Sequence, residues 1–561
     1  MDDVVLALQP DPARYTWPRF LEDVAMRYGD RVAIRYEGRD WTYREVHALA
    51  REFAKGLVAC GVVKGARLGL LCANRPEWVV AAFAASWTGA VLVPVNTFAT
   101  SGERDFILRH GDVSLLLAQE VLLKHRFVDD LVADHPTIAA ARPGHIHCEE
   151  LPQLRRVACF DLAEARGAVE PAAAIVAAGE SVSDTLLDAI ADEISPVDHA
   201  LVIYTSGTTA QPKGVIHRHR AVVIQAWRFA ELMRLSPEDR VFTAQPFFWT
   251  AGISMSLGAT FAAGAMLVLE ERFDAGSALE TIERERVTTV HAWPHQEKSL
   301  AEHPDALRRD LGSVRHVEFA NPLARKIPLQ EDTWGMYGSY GLTETFTLAT
   351  ALPADAAPAL RHGTHGEVLP GNELRIVEPD SGAPLPQGER GEIALKGRTM
   401  MAGYAKVAPE AAFDGDGWFR TRDGGYLDAE GRLHWTGRLS HLIKTGGANV
   451  SPLEIESHLV DEPGVKAAHA VGIEHPTLGE AIVLCLVPTA EGAAPDADAV
   501  RAKLRERLAS YKRPRVVMEI PPDVVAYTGS QKVQLDPLRA YVQARLEENR
   551  VEIAGFVYGG S

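Results

Sequence analysis

Short apolar runs alternate with longer amphipathic stretches over the first half of this chain, and that alternation limits the fold more than any single residue. Ala66–Cys72, Ala90–Pro94, Leu201–Tyr204, Met266–Leu269 and Val287–Ala292 read as buried strands, while Tyr43–Ala59 and His219–Leu235 carry helical spacing. Such strands separated by helices predict an α/β fold, a largely parallel sheet with helices on its faces. At 561 residues the chain should form several compact units. From about residue 363 the texture changes to short strands and glycine turns, with Gly391–Gly397 and Gly417–Thr436 as hairpin material. After Arg438 it changes again. Ser451-Pro452-Leu453-Glu454 has the spacing of a capping box and opens a predicted helix to about Val460. Strands near Lys466–Ile473 and Glu480–Pro488, a helix near Asp496–Ser510 and a strand at Arg515–Ile520 complete a small α+β domain. The predicted division is therefore 1–437 and 438–561.

Charge and cysteine content remove several function classes. The 58 basic against 75 acidic residues leave a net charge of −17, which disfavours nucleic-acid or anionic-membrane binding. Trp78–Gly102 and Val241–Leu269 are uncharged and longer than the ~20 residues that cross a bilayer. Pro94, Asn96, Gln245 and Pro246 interrupt them, so both read as buried α/β segments and no transmembrane span is expected. The acidic start, Met1-Asp2-Asp3, lacks the features of a secretory signal. Cys60, Cys72, Cys148, Cys159 and Cys485 are odd in number and contain no CxxC, which argues against a disulfide framework or a zinc site. A cytoplasmic location is the expectation. Oligomeric state, a homodimer included, stays open.

The strongest local feature follows the strand Leu201–Tyr204: Thr205-Ser206-Gly207-Thr208-Thr209-Ala210-Gln211-Pro212-Lys213-Gly214. Glycine and hydroxyl residues on a tight loop closed by lysine suit polyphosphate oxygens, because bare backbone N–H groups can approach closely. It is not a Walker loop. Pro212 stands where the second glycine belongs, and Gly214 where Ser or Thr is required.

This loop resembles the phosphate-loop signature of the adenylate-forming superfamily, and further segments follow in that family's order. Tyr340-Gly341-Leu342-Thr343-Glu344 is similar to its adenine and magnesium motif, and Gly417–Asp423 to its ribose motif. Gly437-Arg438-Leu439-Ser440 through Gly446-Gly447 resembles the hinge and thiol-tunnel loop, and Tyr511–Pro514 with Lys532 the C-terminal part. The resemblance implies an ANL fold, whose small C-terminal domain is mobile and rotates between two half-reactions. It also implies the reaction: a carboxylate and ATP give acyl-adenylate and pyrophosphate, and a thiol then displaces AMP. The roles it implies put Thr205, Ser206, Gly207, Thr208, Thr209 and Lys213 on phosphate, Tyr340 and Gly341 at adenine and Thr343 on the α-phosphate. Glu344 would hold Mg²⁺, Asp423 the ribose hydroxyls with Arg438 beside it, and Lys532 the reacting carboxylate and α-phosphate. A carboxylate attacking ATP brings anions together, so a site rich in donors and cations is what the chemistry needs. Ala210, Ser440, Gln531 and Ala526-Tyr527 depart from the family's usual residues, and none of these changes removes a charged catalytic group.

Pro246-Phe247-Phe248-Trp249-Thr250-Ala251-Gly252 is similar to the aromatic motif bordering the acyl pocket. It contains no acid to pair an α-ammonium, which disfavours an amino-acid substrate. Phe248, Trp249 and Gly252 fit an apolar acid, whether fatty, alicyclic or aromatic. The expected enzyme is an acyl-CoA ligase using ATP, Mg²⁺ and coenzyme A. An acyl-AMP ligase serving a separate carrier protein is the alternative, and a non-catalytic nucleotide binder a third reading. Retention of Lys213, Glu344, Asp423, Arg438 and Lys532 together speaks against the third.

Overall fold

The computed structural model describes residues 12–205, 212–327, 329, 331–439, 442–445, 448–460, 462–489, 496–508, 512–527 and 533–559. By internal contacts the chain forms two compact units, one of residues 1–374 with 395–419 and the other of 375–394 with 420–561. The segment 363–438, the short-strand texture of the sequence, is thus shared between them.

The first unit contains two large sheets. The eight-stranded one runs in the order Gly403–Tyr404, Lys213–Arg218, His199–Thr205, Val91–Pro94, Arg67–Leu71, Leu115–Ala118, Arg156–Cys159 and Val169–Pro171. From His199–Thr205 onward its neighbours are parallel, and alternate residues enter different cores. Leu201 and Ile203 join one cluster, whereas Val202 and Tyr204 join the other. Burial on both faces explains why these strands read as continuous apolar runs. The helix Tyr43–Ala59 starts where Thr42 and Glu45 form a reciprocal capping box.

The second large sheet orders Thr289–His291, Arg240–Thr243, Met266–Leu269, Val32–Tyr36 and Arg39–Thr42. The uncharged segment 241–269 is consumed by two of these strands, a π-helical turn Gly252–Gly258 and a short helix Ala259–Ala263. Among the described residues no helix is long and apolar enough to cross a membrane.

A buried carboxylate locks the start of this sheet. Asp239 accepts from the Ser236 N–H at 2.8 Å, the Thr288 hydroxyl at 2.7 Å and the Arg315 guanidinium at 2.7 Å. Burial alone would raise its pKa, but the bonds from Thr288, Arg315 and Ser236 outweigh that and hold it below the usual carboxylate range. A carboxyl depressed in the folded state stabilises above its unfolded pKa, ~3.9, and loses that contribution as pH falls through the lower folded value. Asp239→Asn is therefore expected to cost about 2 kcal/mol at neutral pH. The difference between the two proteins should close below about pH 4 in urea unfolding. A pH-independent difference would reject the assignment to charge.

In the second unit Gly479–Pro488 pairs antiparallel with Val465–His475 and parallel with Val516–Glu519. Ile482, Leu484 and Leu486 pack into one cluster with Val500 and Leu504 of helix Ala497–Arg507. Ala481, Val483, Cys485 and Val487 face another with Leu538, Val542 and Leu546 of helix Leu535–Glu548. This is the expected α+β domain. The capping box is not formed: Ser451 occupies the N-cap position but makes no capping bond, and its hydroxyl donates to the Thr436 carbonyl at 2.7 Å. Glu454 pairs with Lys512 instead. The α-helix runs only from Pro452 to Glu456 before a 3-10 turn at Ser457–Leu459.

Candidate active site

The residues flanking the loop that the sequence suggests for phosphate are held by strand pairing: Thr205 ends one strand, Lys213 begins the next, and the two are direct antiparallel partners. Ser206, Gly207, Thr208 and Thr209 lie outside the described residues. The strand begun by Lys213 also pairs with Gly403–Tyr404, in the register Tyr404 opposite Val215. That pairing brings the Lys213 ammonium to 5.3 Å from the centre of the Tyr404 ring.

Tyr404 links the lysine to the Tyr340–Glu344 segment. Its hydroxyl donates to Glu344 Oε1 at 2.7 Å, and the Met401 N–H donates to the Glu344 carbonyl at 2.7 Å. The glutamate is thereby fixed at both its side chain and its main chain. Tyr340 is buried in the strand Ser339–Tyr340, which pairs with Thr350–Ala351, and Thr343–Thr345 is a single 3-10 turn. Helix His219–Leu232 secures the turn from behind. The buried Gln225 amide donates to the carbonyls of Thr345 at 3.0 Å and Leu348 at 2.7 Å.

The backbone here is unusual. Phe346 and Thr347 take φ of 49° and 92°, left-handed values that side-chain-bearing residues seldom adopt. The chain folds back so closely that a Cβ on Gly341 would stand 1.9 Å from the Thr347 carbonyl oxygen. No side chain can shift to relieve that contact, so position 341 requires glycine. Phe346 is buried against the His217 ring at 4.8 Å, and burial pushes that imidazole down to about 3, so it stays neutral.

The aromatic segment lies one hydrogen bond away. The Ser254 and Thr347 hydroxyls are 2.8 Å apart, and Ser254 sits on the π-helical turn that begins at Gly252. Phe98, Phe248, Trp249 and Trp293 form a chain of edge-to-face rings, with successive centroids 5.7, 4.9 and 5.5 Å apart. Phe248 is buried and Trp249 half-buried. Gly252 has a backbone reason to be glycine, since a Cβ there would lie 2.1 Å from the Pro246 carbonyl oxygen. Glu297 stands one turn along the helix that Trp293 caps. Burial, with the charge of Glu318, pushes its carboxyl up to about 7, so much of it is protonated near neutrality.

The second unit carries the other candidate cluster. Asp423 and Arg438 are paired residues of the hairpin Phe419–Leu427/Leu433–Arg438, and the Arg438 Nε lies 2.9 Å from Asp423 Oδ1. Asp423 is 3% exposed while Arg438 is half-buried, so the pair joins a buried carboxylate to a partly solvated guanidinium. Arg422 takes a left-handed φ of 60°, and its N–H donates to the buried Glu392 at 2.7 Å. Glu392 also accepts from Arg420, so one carboxylate holds the strand on the approach to Asp423. Ser440, Gly446, Gly447 and Lys532 lie outside the described residues. The strands Ile443–Thr445 and Ala448–Val450 pair antiparallel, with Thr445 opposite Ala448.

Tyr404, Ser254, Phe98 and Trp293 were not found by sequence reasoning. Gly403-Tyr404, following a hydrophobic Met400-Met401, was the one local signal for the first of them.

The profile of the AMP-binding enzyme family matches residues 21–405, and that of the AMP-binding enzyme C-terminal domain matches residues 454–532. A putative acyl-CoA synthetase of Bacillus subtilis, YngI, is 31% identical over 533 residues, covering 93% of this chain and 96% of its own. Indoleacetate–CoA ligase of Aromatoleum aromaticum is 31% identical over 524 residues, covering 91% and 95% respectively. Among solved structures, ATP-bound MatB from Rhodopseudomonas palustris is similar with a TM-score of 0.75 and 25% identity, over 94% of this chain and 99% of that one. The chain belongs to the family of AMP-binding, adenylate-forming enzymes. Its activity is that of an AMP-forming acid–thiol ligase, which makes acyl-CoA from an acid, ATP and coenzyme A through an acyl-adenylate.

Proposed function

We propose that the acid is apolar (fatty, alicyclic or aromatic) and that the aromatic chain from Phe98 to Trp293 forms one wall of its pocket. The observation that carries this is the chain of rings together with Ser254, which bonds both the Thr250 carbonyl of the aromatic segment and Thr347, three residues after Glu344. The wall segment itself carries no ionised group, and an apolar surface of this kind gains affinity by burial. The Aromatoleum relative is named for indoleacetate, an aromatic acid of this class.

In the first half-reaction a carboxylate oxygen attacks the α-phosphorus and pyrophosphate leaves. The loop from Thr205 to Thr209 and Lys213 bind the phosphates, Tyr340 and Gly341 receive the adenine, and Thr343 donates to the α-phosphate. Asp423 accepts from the ribose hydroxyls, and Arg438, already paired to it, keeps it aimed. Mg²⁺ fits Glu344, a half-buried hard oxygen donor whose other oxygen is held by Tyr404. When bound there, the ion supplies charge neutralisation for the polyphosphate. In the second half-reaction the thiol attacks the acyl carbonyl, AMP leaves, and Gly446 and Gly447 line the thiol's path while Ser440 serves the hinge. The division 1–437 and 438–561 is the functional one on this reading, in a cytoplasmic enzyme.

A panel of carboxylic acids with ATP, Mg²⁺ and coenzyme A tests the proposal by reading pyrophosphate and thioester separately. Aryl, alicyclic or medium-chain acids are expected to exceed acetate and free amino acids in kcat/KM by at least ~10²-fold. Preference for a small polar or amino acid would reject the apolar pocket. Pyrophosphate release without thioester would assign the acyl group to a carrier protein instead.

A further inference from the structure

We propose that this chain binds a divalent metal ion of the zinc class at a second site, formed by His135, Cys148 and Glu150 in the first unit. The three donor atoms all lie within 4.8 Å of one another. Cys148 Sγ is 3.2 Å from Glu150 Oε2 and 3.7 Å from His135 Nδ1, and that nitrogen is 3.9 Å from the same carboxylate oxygen. Ligands ~2.0–2.3 Å from a tetrahedral zinc ion stand roughly 3.3–3.6 Å apart, so shifts of a few tenths of an ångström would close the site.

The surroundings prepare these donors for a cation. His135 and Cys148 are only 6% and 3% exposed, and both point their donor atoms into the cluster. His135 Nε2 is 2.9 Å from Asp105 Oδ2, which fixes the tautomer that leaves Nδ1 as an acceptor. Arg104 in turn donates to the other oxygen of Asp105 at 2.8 Å and to Asp134 at 2.7 Å, so the orienting carboxylate is itself held. A carboxylate that orients a ligating histidine is a recurrent support of zinc sites. Arg109 donates to the Glu150 carbonyl at 2.8 Å and so positions the third ligand's backbone.

Charge and softness select the ion. One thiolate and one carboxylate balance a divalent cation, while thiolate and imidazole favour zinc over magnesium or calcium. The thiol proton, now donated to Glu150, leaves to solvent when the metal binds, with no redox change. A nucleophilic role is disfavoured by the same geometry, because Cys148 is buried away from any reactant. Water takes the fourth position. The sequence pointed away from zinc because it contains no CxxC; the histidine comes thirteen residues before the cysteine, where it joins the helices Phe127–Asp134 and Pro136–Ala140.

The experiment titrates the full-length protein, stripped with chelator, first with Co²⁺ and then with Zn²⁺. We expect one Co²⁺ per chain with a thiolate-to-cobalt charge-transfer band, removed stoichiometrically by Zn²⁺. Cys148→Ser should abolish the band, and His135→Ala should weaken Zn²⁺ binding by at least ~10²-fold. Asp105→Asn should keep the band and lose ~10–100-fold in affinity. Glu150→Gln alters an exposed side chain and is expected to fold, so its weakened binding is readable even if the buried variants unfold. No band in the wild type, an undiminished band in Cys148→Ser, or unchanged affinity in Glu150→Gln would each overturn the proposal. Mg²⁺-dependent pyrophosphate release should persist in Cys148→Ser, which separates this site from the one at Glu344.

Discussion

Replacing Lys532 with alanine is expected to lower acid- and ATP-dependent pyrophosphate release by at least ~10²-fold, with thioester formation from supplied acyl-adenylate largely retained. The reason is electrostatic. In the first half-reaction a carboxylate must approach a polyphosphate, and charge spreads over the α-phosphate oxygens as the bond forms. A lysine reaching both groups offsets that repulsion and aligns attacker and target, and a hundredfold loss corresponds to about 2.7 kcal/mol of barrier. In the second half-reaction the attacking thiol meets an activated mixed anhydride, and the proposed assignment gives Lys532 no part in it. The two readouts therefore separate a reactive lysine from one that merely supports the fold, since a folding defect would depress both. Undiminished adenylation would remove Lys532 from the mechanism, and equal loss of both steps would reassign it to structure.

The parts of the fold that were legible in the sequence are those set by local periodicity. Met266–Leu269 and Tyr43–Ala59 fall at their predicted limits, because a four-residue apolar run and a capped amphipathic helix each carry their signal internally. The Thr205–Gly214 loop, the Tyr340–Glu344 segment and the Asp423 strand carry the pattern of the family's motifs in the sequence itself. What could not be read was pairing at a distance. Nothing near Glu344 indicates that its carboxylate will meet a tyrosine sixty residues later, a meeting decided by the strand register of Tyr404 opposite Val215. Likewise the register of one hairpin makes Asp423 and Arg438 neighbours. The π-helical turn at Gly252–Gly258 has no periodic signature, because seven residues are too few to distinguish it from an α-helix. Ser451 shows the converse. Its local pattern is that of a cap, yet the Thr436 carbonyl on a neighbouring strand takes its hydroxyl.

Glu344→Ala is expected to reduce kcat for pyrophosphate release by ~10²–10³-fold, the scale seen when one preorganised electrostatic group is removed from a charged transition state. Glu344→Gln should raise the half-saturating Mg²⁺ concentration by at least ~10-fold, because a neutral amide oxygen is a weaker ligand for a hard cation than a carboxylate. The fold should survive both changes. The side chain is half-buried, and the turn is held by bonds that do not involve it, from the Met401 N–H to the Glu344 carbonyl and from the Gln225 side-chain amide to the Thr345 carbonyl. Tyr404→Phe provides the finer comparison. It deletes the 2.7 Å bond that orients the carboxylate, so on the proposed assignment Tyr404 is a positioning residue that acts through Glu344. A hydrogen bond to a charged group contributes about 1.5–3 kcal/mol, which bounds the expected loss at roughly 10–100-fold. Because the proposed assignment has both residues act through one ion, the double variant Tyr404→Phe/Glu344→Ala should be no slower than Glu344→Ala alone. Steady-state pyrophosphate release across a Mg²⁺ titration measures each of these effects. Additive losses in the double variant would uncouple the tyrosine from the carboxylate, and an unchanged Mg²⁺ dependence in Glu344→Gln would place the ion elsewhere.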